Sequence, residues 1–391
     1  MTQLKERSTS VIDRPVVPLV STYTSTGEKL FHHTHAMESL RNGTGRPITT
    51  HAMPTSRCQD SCSFCSVATR KNNSLKMWEI ESYLDTLCEF GLKSCILSGG
   101  GNPLLWVCPE TKKGIADLID MIHAKNLQIG MITNGMKLRD YGGRMSYATL
   151  PPKQLDKLTW IRVSCSGWDH PRGVVEVPDI DPSVTTLGGS YVLHDSYIAS
   201  GDPHGKTSTM ADVIRLGADV SQKPIRGKDR LPELTERIQE FVETYRPSYY
   251  RTLPNCLERS EIASRCKDLQ VLADAVDPNV VFVQYKPPNP HTSCHLGYVH
   301  PVLSETGRVF PCDSCTLNDE ANHSFDERWS ICHWSEIRSL YEAPVRSLIK
   351  NPLVMCDGCV FGNTNRILSG VVDGTIDITP HGPVPEHVNF V

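Results

Sequence analysis

Cys58-Gln59-Asp60-Ser61-Cys62-Ser63-Phe64-Cys65 sets three thiols at C-x3-C-x2-C spacing in one polar loop. The extended run 48–53 leads directly into it. Three cysteines this close can wrap a single inorganic core, yet a four-iron cluster takes four thiolates. A [4Fe–4S] cube held here keeps one iron open to a ligand that is not protein, and chemistry can enter at such an iron. Two other readings of the spacing stand beside it. One is a zinc loop, which wants a fourth Cys or His and usually shows C-x2-C pairs; the other is three incidental thiols.

Working outward, short apolar runs alternate with amphipathic stretches over residues 47–286. The pattern predicts strands at 48–53, 94–97, 128–133 and 160–165, with weaker candidates at 190–193 and 218–223. Helices are predicted at 74–90, where Leu75, Trp78, Tyr83, Leu84 and Leu87 form a stripe stopped by Gly91, and at 110–125 and 231–245. Alternating strands and helices imply an α/β fold with a parallel sheet and right-handed crossovers. In barrels of this kind chemistry gathers at the C-terminal ends of the strands, where the three-cysteine loop lies. The Pro/Gly/Asp-rich stretch 166–189 reads as a substrate-facing insertion or a solvated excursion. Residues 1–45 read as a leader or cap, with His32, His33 and His35 as solvated histidines. Lys286-Pro287-Pro288-Asn289-Pro290 is a stiff linker between a barrel (46–286) and a small cysteine-rich region (287–365). Residues 366–391, with Thr379-Pro380-His381-Gly382-Pro383, read as an irregular surface tail.

Ser98-Gly99-Gly100-Gly101-Asn102-Pro103 follows the second strand, and its glycines let backbone approach a ligand closely; a flexible turn is the plainer reading. Asn134 closes the third strand, where it can equally be a left-handed turn residue. Ser164 is a polar residue inside an apolar strand and needs a partner. Near the C-terminus stand Cys294, Cys312, Cys356 and Cys359, with a hairpin expected at 304–311 turning on Glu305-Thr306-Gly307 and a helix at 334–348. Four thiols from two segments can close on zinc or ligate a whole iron–sulfur cluster, and spacing alone leans to zinc. Cys315 and Cys332 are spare thiols, each available as a replacement ligand or a hydrogen-atom donor at the substrate, and otherwise inert. Cys88, Cys95, Cys108, Cys165, Cys256 and Cys266 read as packing.

The loop 58–65, with an aromatic residue before its third cysteine, resembles the signature of the radical S-adenosylmethionine (radical SAM) superfamily. The resemblance implies a partial (β/α)6 TIM-like barrel in which Cys58, Cys62 and Cys65 hold a [4Fe–4S] cluster, next to Phe64, whose open iron takes the amino and carboxylate groups of SAM. It implies reductive cleavage of SAM to a 5′-deoxyadenosyl radical that abstracts hydrogen from a substrate, with an external one-electron reductant such as a flavodoxin- or ferredoxin-like protein. It also makes Gly99, Gly100, Gly101, Asn102, Asn134 and Ser164 SAM contacts, although Asn102 stands where the superfamily's Gly-Gly-Glu motif has a carboxylate. The C-terminal cysteines then resemble a twitch domain, the half-length relative of the SPASM domain, and would carry one auxiliary [4Fe–4S] cluster.

The 391 residues, 39% hydrophobic and 21% charged, describe a soluble protein with a real core. A net charge of −4 signals no general affinity for nucleic acid or anionic membrane. No apolar run approaches a membrane span, and the N-terminus has no apolar secretion segment, so a cytoplasmic location is expected. In that compartment the 15 cysteines are metal ligands and buried thiols before they are disulfides. The expected substrate is a polar small molecule or nucleoside, undergoing dehydrogenation or radical rearrangement. Peptide maturation, isomerising hypermodification of a nucleic-acid base, and a non-enzymatic zinc scaffold are the alternatives. Among His194, Lys223, Arg251 and Tyr285, near expected strand ends, the sequence singles out no acid or base.

Overall fold

The computed structural model describes residues 22–59, 62, 65, 72–138, 150–169, 173–194, 197–198, 207–208, 227–254, 261–285, 291–313, 329–350, 352, 359–380 and 382–391. Its centre is a ten-stranded sheet. The strands in chain order are β1 (Thr49–Ala52), β2 (Ser94–Leu97), β3 (Gln128–Thr133), β4 (Trp160–Ser164), β5 (Thr186–Leu193), β6 (Tyr249–Pro254), β7 (Val281–Val283), β8 (Val302–Leu303), β9 (Arg308–Phe310) and β10 (Cys332–His333). They lie side by side in the order β7-β6-β5-β4-β3-β2-β1-β8-β9-β10. Every pair from β7 through β1 to β8 is parallel, and β8-β9-β10 is an antiparallel meander.

The α-helices of six residues or more among the described residues are α1 (Thr34–Arg41), α2 (Met77–Glu89), α3 (Ile115–His123), α4 (Leu231–Tyr245), α5 (Ile262–Val276), α6 (Ile337–Glu342) and α7 (Gly362–Val372). Period-two alternation divides the strands' side chains. Ala52, Cys95, Leu97, Ile129, Met131, Ile161 and Val163 face outward and pack with Tyr83, Leu84 and Leu87 of α2 and Ile119 and Ile122 of α3. Ile96, Ile132 and Trp160 face the other way, onto Phe390. His51 of β1 feels the charge of Arg162 of β4 across two intervening strands, a separation of ~14 Å on a flat sheet. The sheet is curled, and β1–β6 form a partial barrel, the parallel sheet that the strand–helix alternation predicts and the architecture that the resemblance implies.

Several expectations change in detail. The sixth barrel strand is β6, whose inward Tyr249 and Arg251 break any simple apolar run; the stretch 218–223 lies outside the described residues. α5 and β7 add a further unit that the sequence pattern does not announce. α2 begins at Met77 because Ser74 pairs with Thr55, and the Glu79 carboxylate accepts from the Lys76 amide to start the helix. Trp78 lies on α2's exposed side, edge-on to Trp334, and not in the core stripe. The helix expected over 334–348 stops at Glu342, because Pro344 forces Ala343 into extended backbone (ψ 153°).

The C-terminal tail is more firmly anchored than an irregular surface tail. Residues 362–372 are α7, and Phe390 and Val391 are buried. The last residues cross the N-terminal rim of the barrel, touching the first residue of successive strands. Ser94 Oγ donates to the Asn389 carbonyl, Asn389 Nδ2 donates to Gln128 Oε1, Trp160 meets Phe390 edge-on, and Thr186 bonds His387. Lys29, itself buried, binds this strap through the carbonyls of His387 and Phe390, and His33 bonds the Val388 carbonyl. The N-terminal histidine cluster is therefore partly structural. Among the described residues no helix is long and apolar enough to cross a membrane.

Candidate cofactor and substrate site

The three-cysteine loop rises from the C-terminal end of β1, and Cys58, Cys62 and Cys65 are all half-buried. A network of side-chain amides ties it to the ends of β2 and β3. Asn134 donates to Cys58 Sγ at 3.7 Å. Its Oδ1 accepts from Gln59 Nε2 at 2.9 Å and from Asn102 Nδ2 at 3.0 Å. Asn102 also donates to Gln59 Oε1 and accepts from Thr133 Oγ1 and the Leu104 amide. All four hydrogen-bonding positions of the Asn102 amide are thus taken by protein, so it acts as the knot of the site. Gln59 escaped the sequence reading; its only signal was a long polar side chain directly after the first cysteine.

Asn134 is not a left-handed residue; Gly135 takes the positive φ of 58° in its place. Gly99 and Gly100 have φ of 79° and 61°, where a side chain is strained. A Cβ on Gly101 would lie 2.0 Å from the Arg57 carbonyl oxygen. The glycine run therefore presses backbone to backbone against the cysteine loop, a cradle that only glycine permits. Ser164, at the end of β4, lies in register with Ser190 of β5. Among the described residues no three His, Cys, Asp or Glu side chains converge on a point that would hold one ion. A four-iron cube spreads its thiolates over separate corners, and three half-buried thiols on one loop fit it. Phe64 lies outside the described residues.

Of the C-terminal cysteines, Cys294 is buried in one cluster with Met53, Val302, Phe310 and Ile349, and Cys312 packs against that cluster. Cys359 stands just before α7, and Cys356 lies outside the described residues, as does Cys315. Cys332 is on β10, and burial pushes its thiol up to about 12; a thiol so hard to ionise is a poor ligand. The expected hairpin exists as β8 and β9, with Gly307 at φ 80° in the turn. It extends the barrel's own sheet beyond β1, which brings Glu305 beside the glycine run. The Glu305 carboxyl is buried, its Oε2 has no hydrogen-bond partner among the described residues, and a Cβ on Gly100 would lie 3.3 Å from that oxygen. Burial pushes this carboxyl above its usual range. From the sequence Glu305 is only a turn residue.

Deeper inside the barrel lie Arg162, Arg251 and His51. Burial lowers both guanidiniums, and Arg251 is lowered further by the charge of Arg162. Burial and then Arg162 push His51 down to about 4, so it is neutral near pH 7. Arg251 donates to Gln284 Oε1. His194 sits elsewhere. Its Nε2 bonds Asp169 at 3.1 Å, and the same carboxylate takes the Tyr191 hydroxyl and Arg230. Burial opposes ionisation of Asp169, but His194 and Arg230 hold its carboxyl below the usual range. This brace backs onto the aromatic packing of Trp168, Tyr191, Phe241 and Tyr250. Tyr285 is exposed, and Lys223 lies outside the described residues.

Residues 53–159 match the model of the Radical SAM superfamily. No curated protein matches the chain in sequence. Among solved structures it is similar to Streptococcus suis SuiB bound to precursor peptide SuiA, at 14% identity over 79% of this chain and 70% of that one, with a TM-score of 0.43. It is similar to anSMEcpe with bound AdoMet and the Cp18Cys peptide, at 12% identity over 76% and 80%, with a TM-score of 0.43. It is also similar to BtrN in complex with AdoMet and 2-DOIA, at 13% identity over 85% and 92%, with a TM-score of 0.34. At such identities and scores these are likenesses only.

Proposed function

We propose, from the match of residues 53–159 to the radical SAM superfamily, whose members bind a [4Fe–4S] cluster and SAM, that this chain is such an enzyme and that Cys58, Cys62 and Cys65 hold the cluster at the mouth of the barrel. The observation that carries the reading is the close pairing of cysteine and glycine loops, with Asn134 fixed on Cys58 and Gly101 pressed on Arg57. The cofactor pair, when bound and reduced, supplies a 5′-deoxyadenosyl radical able to abstract hydrogen. The chain's own residues place and shield it. Backbone groups of Gly99, Gly100 and Gly101 face SAM, Asn102 and Asn134 fix the loops that hold it, and Ser164 contacts it at the end of β4. Phe64, the aromatic residue before the third cysteine, is assigned to the cofactor site by the resemblance alone. Glu305 sets a carboxylate beside Gly100 for the ammonium or sulfonium charge of SAM, in place of the acid missing at position 102.

The substrate is a polar small molecule or nucleoside held on the concave face of the sheet, where Arg162, Ser164, Ser190 and Arg251 point, and its fate is dehydrogenation or radical rearrangement. Cys294, Cys312, Cys356 and Cys359 hold an auxiliary [4Fe–4S] cluster in a twitch-like region spanning 287–365. An external one-electron reductant serves the first cluster, and the enzyme works in the cytoplasm.

The test is anaerobic reconstitution followed by assay of 5′-deoxyadenosine with dithionite or a flavodoxin as reductant. The C58A/C62A/C65A variant is expected to lose that product while keeping about four of about eight irons per chain. Product formation by that variant would sink the reading. Glu305→Gln is expected to weaken SAM binding about tenfold, measured by equilibrium dialysis; unchanged affinity removes Glu305 from the site. Mass change in candidate substrates separates loss of two hydrogens from isomerisation. Turnover of peptides but not of small polar molecules would replace the substrate class with peptide maturation.

A further inference from the structure

We infer that the floor of the barrel is an oxyanion site, in which Arg162 and Arg251 hold a carboxylate or phosphate group of the substrate; this rests on the reading of the concave face as the substrate chamber. Arg162 projects from β4 and Arg251 from β6, and the strand between them, β5, presents Gly188 opposite Arg162 and Ser190 opposite Arg251. β5 itself puts no bulky side chain between the two cations; the Tyr249 ring lies over Gly188 and reaches Arg162. Arg162 is 9% exposed. The Nε of each guanidinium is buried without a hydrogen-bond partner among the described residues. Two like charges in one apolar chamber, each with an idle donor, are costly without an anion.

Among the described residues the surroundings supply little of that anion. Tyr249 bonds Arg162, and Asp313 pulls on both cations more weakly than burial opposes them. His51 is neutral and adds no negative charge. Beneath the pair the floor is aromatic: Arg162 lies over the Trp160 ring at 5.8 Å, and Phe390 of the strap meets Trp160 edge-on. Trp160 and Tyr249 fill the space that glycine leaves at positions 130 and 188. Such a floor excludes water and strengthens the pairing of a guanidinium fork with a planar or tetrahedral oxyanion. Ser164 lies two residues, ~7 Å, above Arg162 along β4. An anion anchored at the floor therefore directs the rest of its molecule up toward the cysteine and glycine loops.

The probes are inorganic phosphate and malonate, titrated calorimetrically at constant ionic strength into reconstituted full-length protein, with and without saturating SAM. Wild type is expected to bind at least one of them, and the better-bound probe identifies phosphate or carboxylate as the substrate's group. Arg162→Gln and Arg251→Gln are each expected to weaken binding about tenfold or more, with iron content and SAM affinity unchanged. Arg162→Lys is expected to fall between. Wild-type affinity in both glutamine variants, or no binding of either probe, overturns the site. Displacement of the probe by SAM also overturns it, because the arginines would then hold the cofactor's own carboxylate. A fall in melting temperature of the glutamine variants with unchanged probe binding would assign the pair a purely structural role. If the probes bind through the arginines but 5′-deoxyadenosine never forms, the oxyanion site stands and the radical SAM assignment of the chamber fails, so the two outcomes are separable.

Discussion

Asn102 shows at the residue scale how a departure from a motif can be informative. A carboxylate there would accept hydrogen bonds but could donate none, and would lose the bonds to Gln59 and Asn134. Asn102→Ala is expected to cost about 2–3 kcal/mol in urea unfolding, since it leaves buried partners such as Thr133 unpaired. It should also reduce iron retention after anaerobic gel filtration, because the Cys58 loop loses its tie. His51 is one residue whose titration bears on stability. Its folded value of about 4 lies below the unfolded value of 6.5. The unfolded chain therefore takes up the proton first. His51's contribution, about 3 kcal/mol, is present above pH 6.5 and is lost as pH falls toward 4. His387 titrates with the same sign, pushed down to about 4 by burial and then by Lys29, against Glu386. His51→Phe should flatten part of the stability profile between pH 6.5 and 4, measured by urea midpoints across that range. An unchanged profile would exclude His51 as the source.

At the scale of elements, the C-terminal strap and the β8–β9 hairpin do what no single strand could. The strap closes the end of the barrel opposite the cysteine loop, with Phe390 against Trp160 and backbone and side-chain bonds to β2, β3 and β5. Phe390→Ala is expected to destabilise the fold by about 3 kcal/mol, read from thermal or urea unfolding. Iron content should stay the same, because the three-cysteine loop proposed to hold the cluster is at the other rim. The hairpin adds to β1 and brings Glu305 to Gly100. Sequence patterning found the hairpin's turn but not its neighbour, because strand pairing over 250 residues of separation leaves no periodic trace. α5 was missed for a different reason: exposed Val271 interrupts the stripe of Ile262, Leu269, Leu272 and Ala273.

Over the whole molecule, one curled parallel sheet has two unlike ends: an aromatic, strapped floor and a polar mouth of loops. Full reconstitution should give about eight irons per chain, and a Cys294→Ala/Cys312→Ala variant about four with SAM cleavage retained. Colourless protein with stoichiometric zinc would point to the scaffold reading. The cysteine spacing, the glycine run and the strand–helix alternation were legible from the chain itself, because each depends on residues within a few positions of one another. So were β2 and β3, which needed only local apolar runs and turn signals. The amide network around Cys58, the carboxylate of Glu305 beside Gly100 and the paired cations Arg162 and Arg251 were not. Each of these joins residues from different strands, and only the register and curl of the sheet decide which side chains face one another across the chamber.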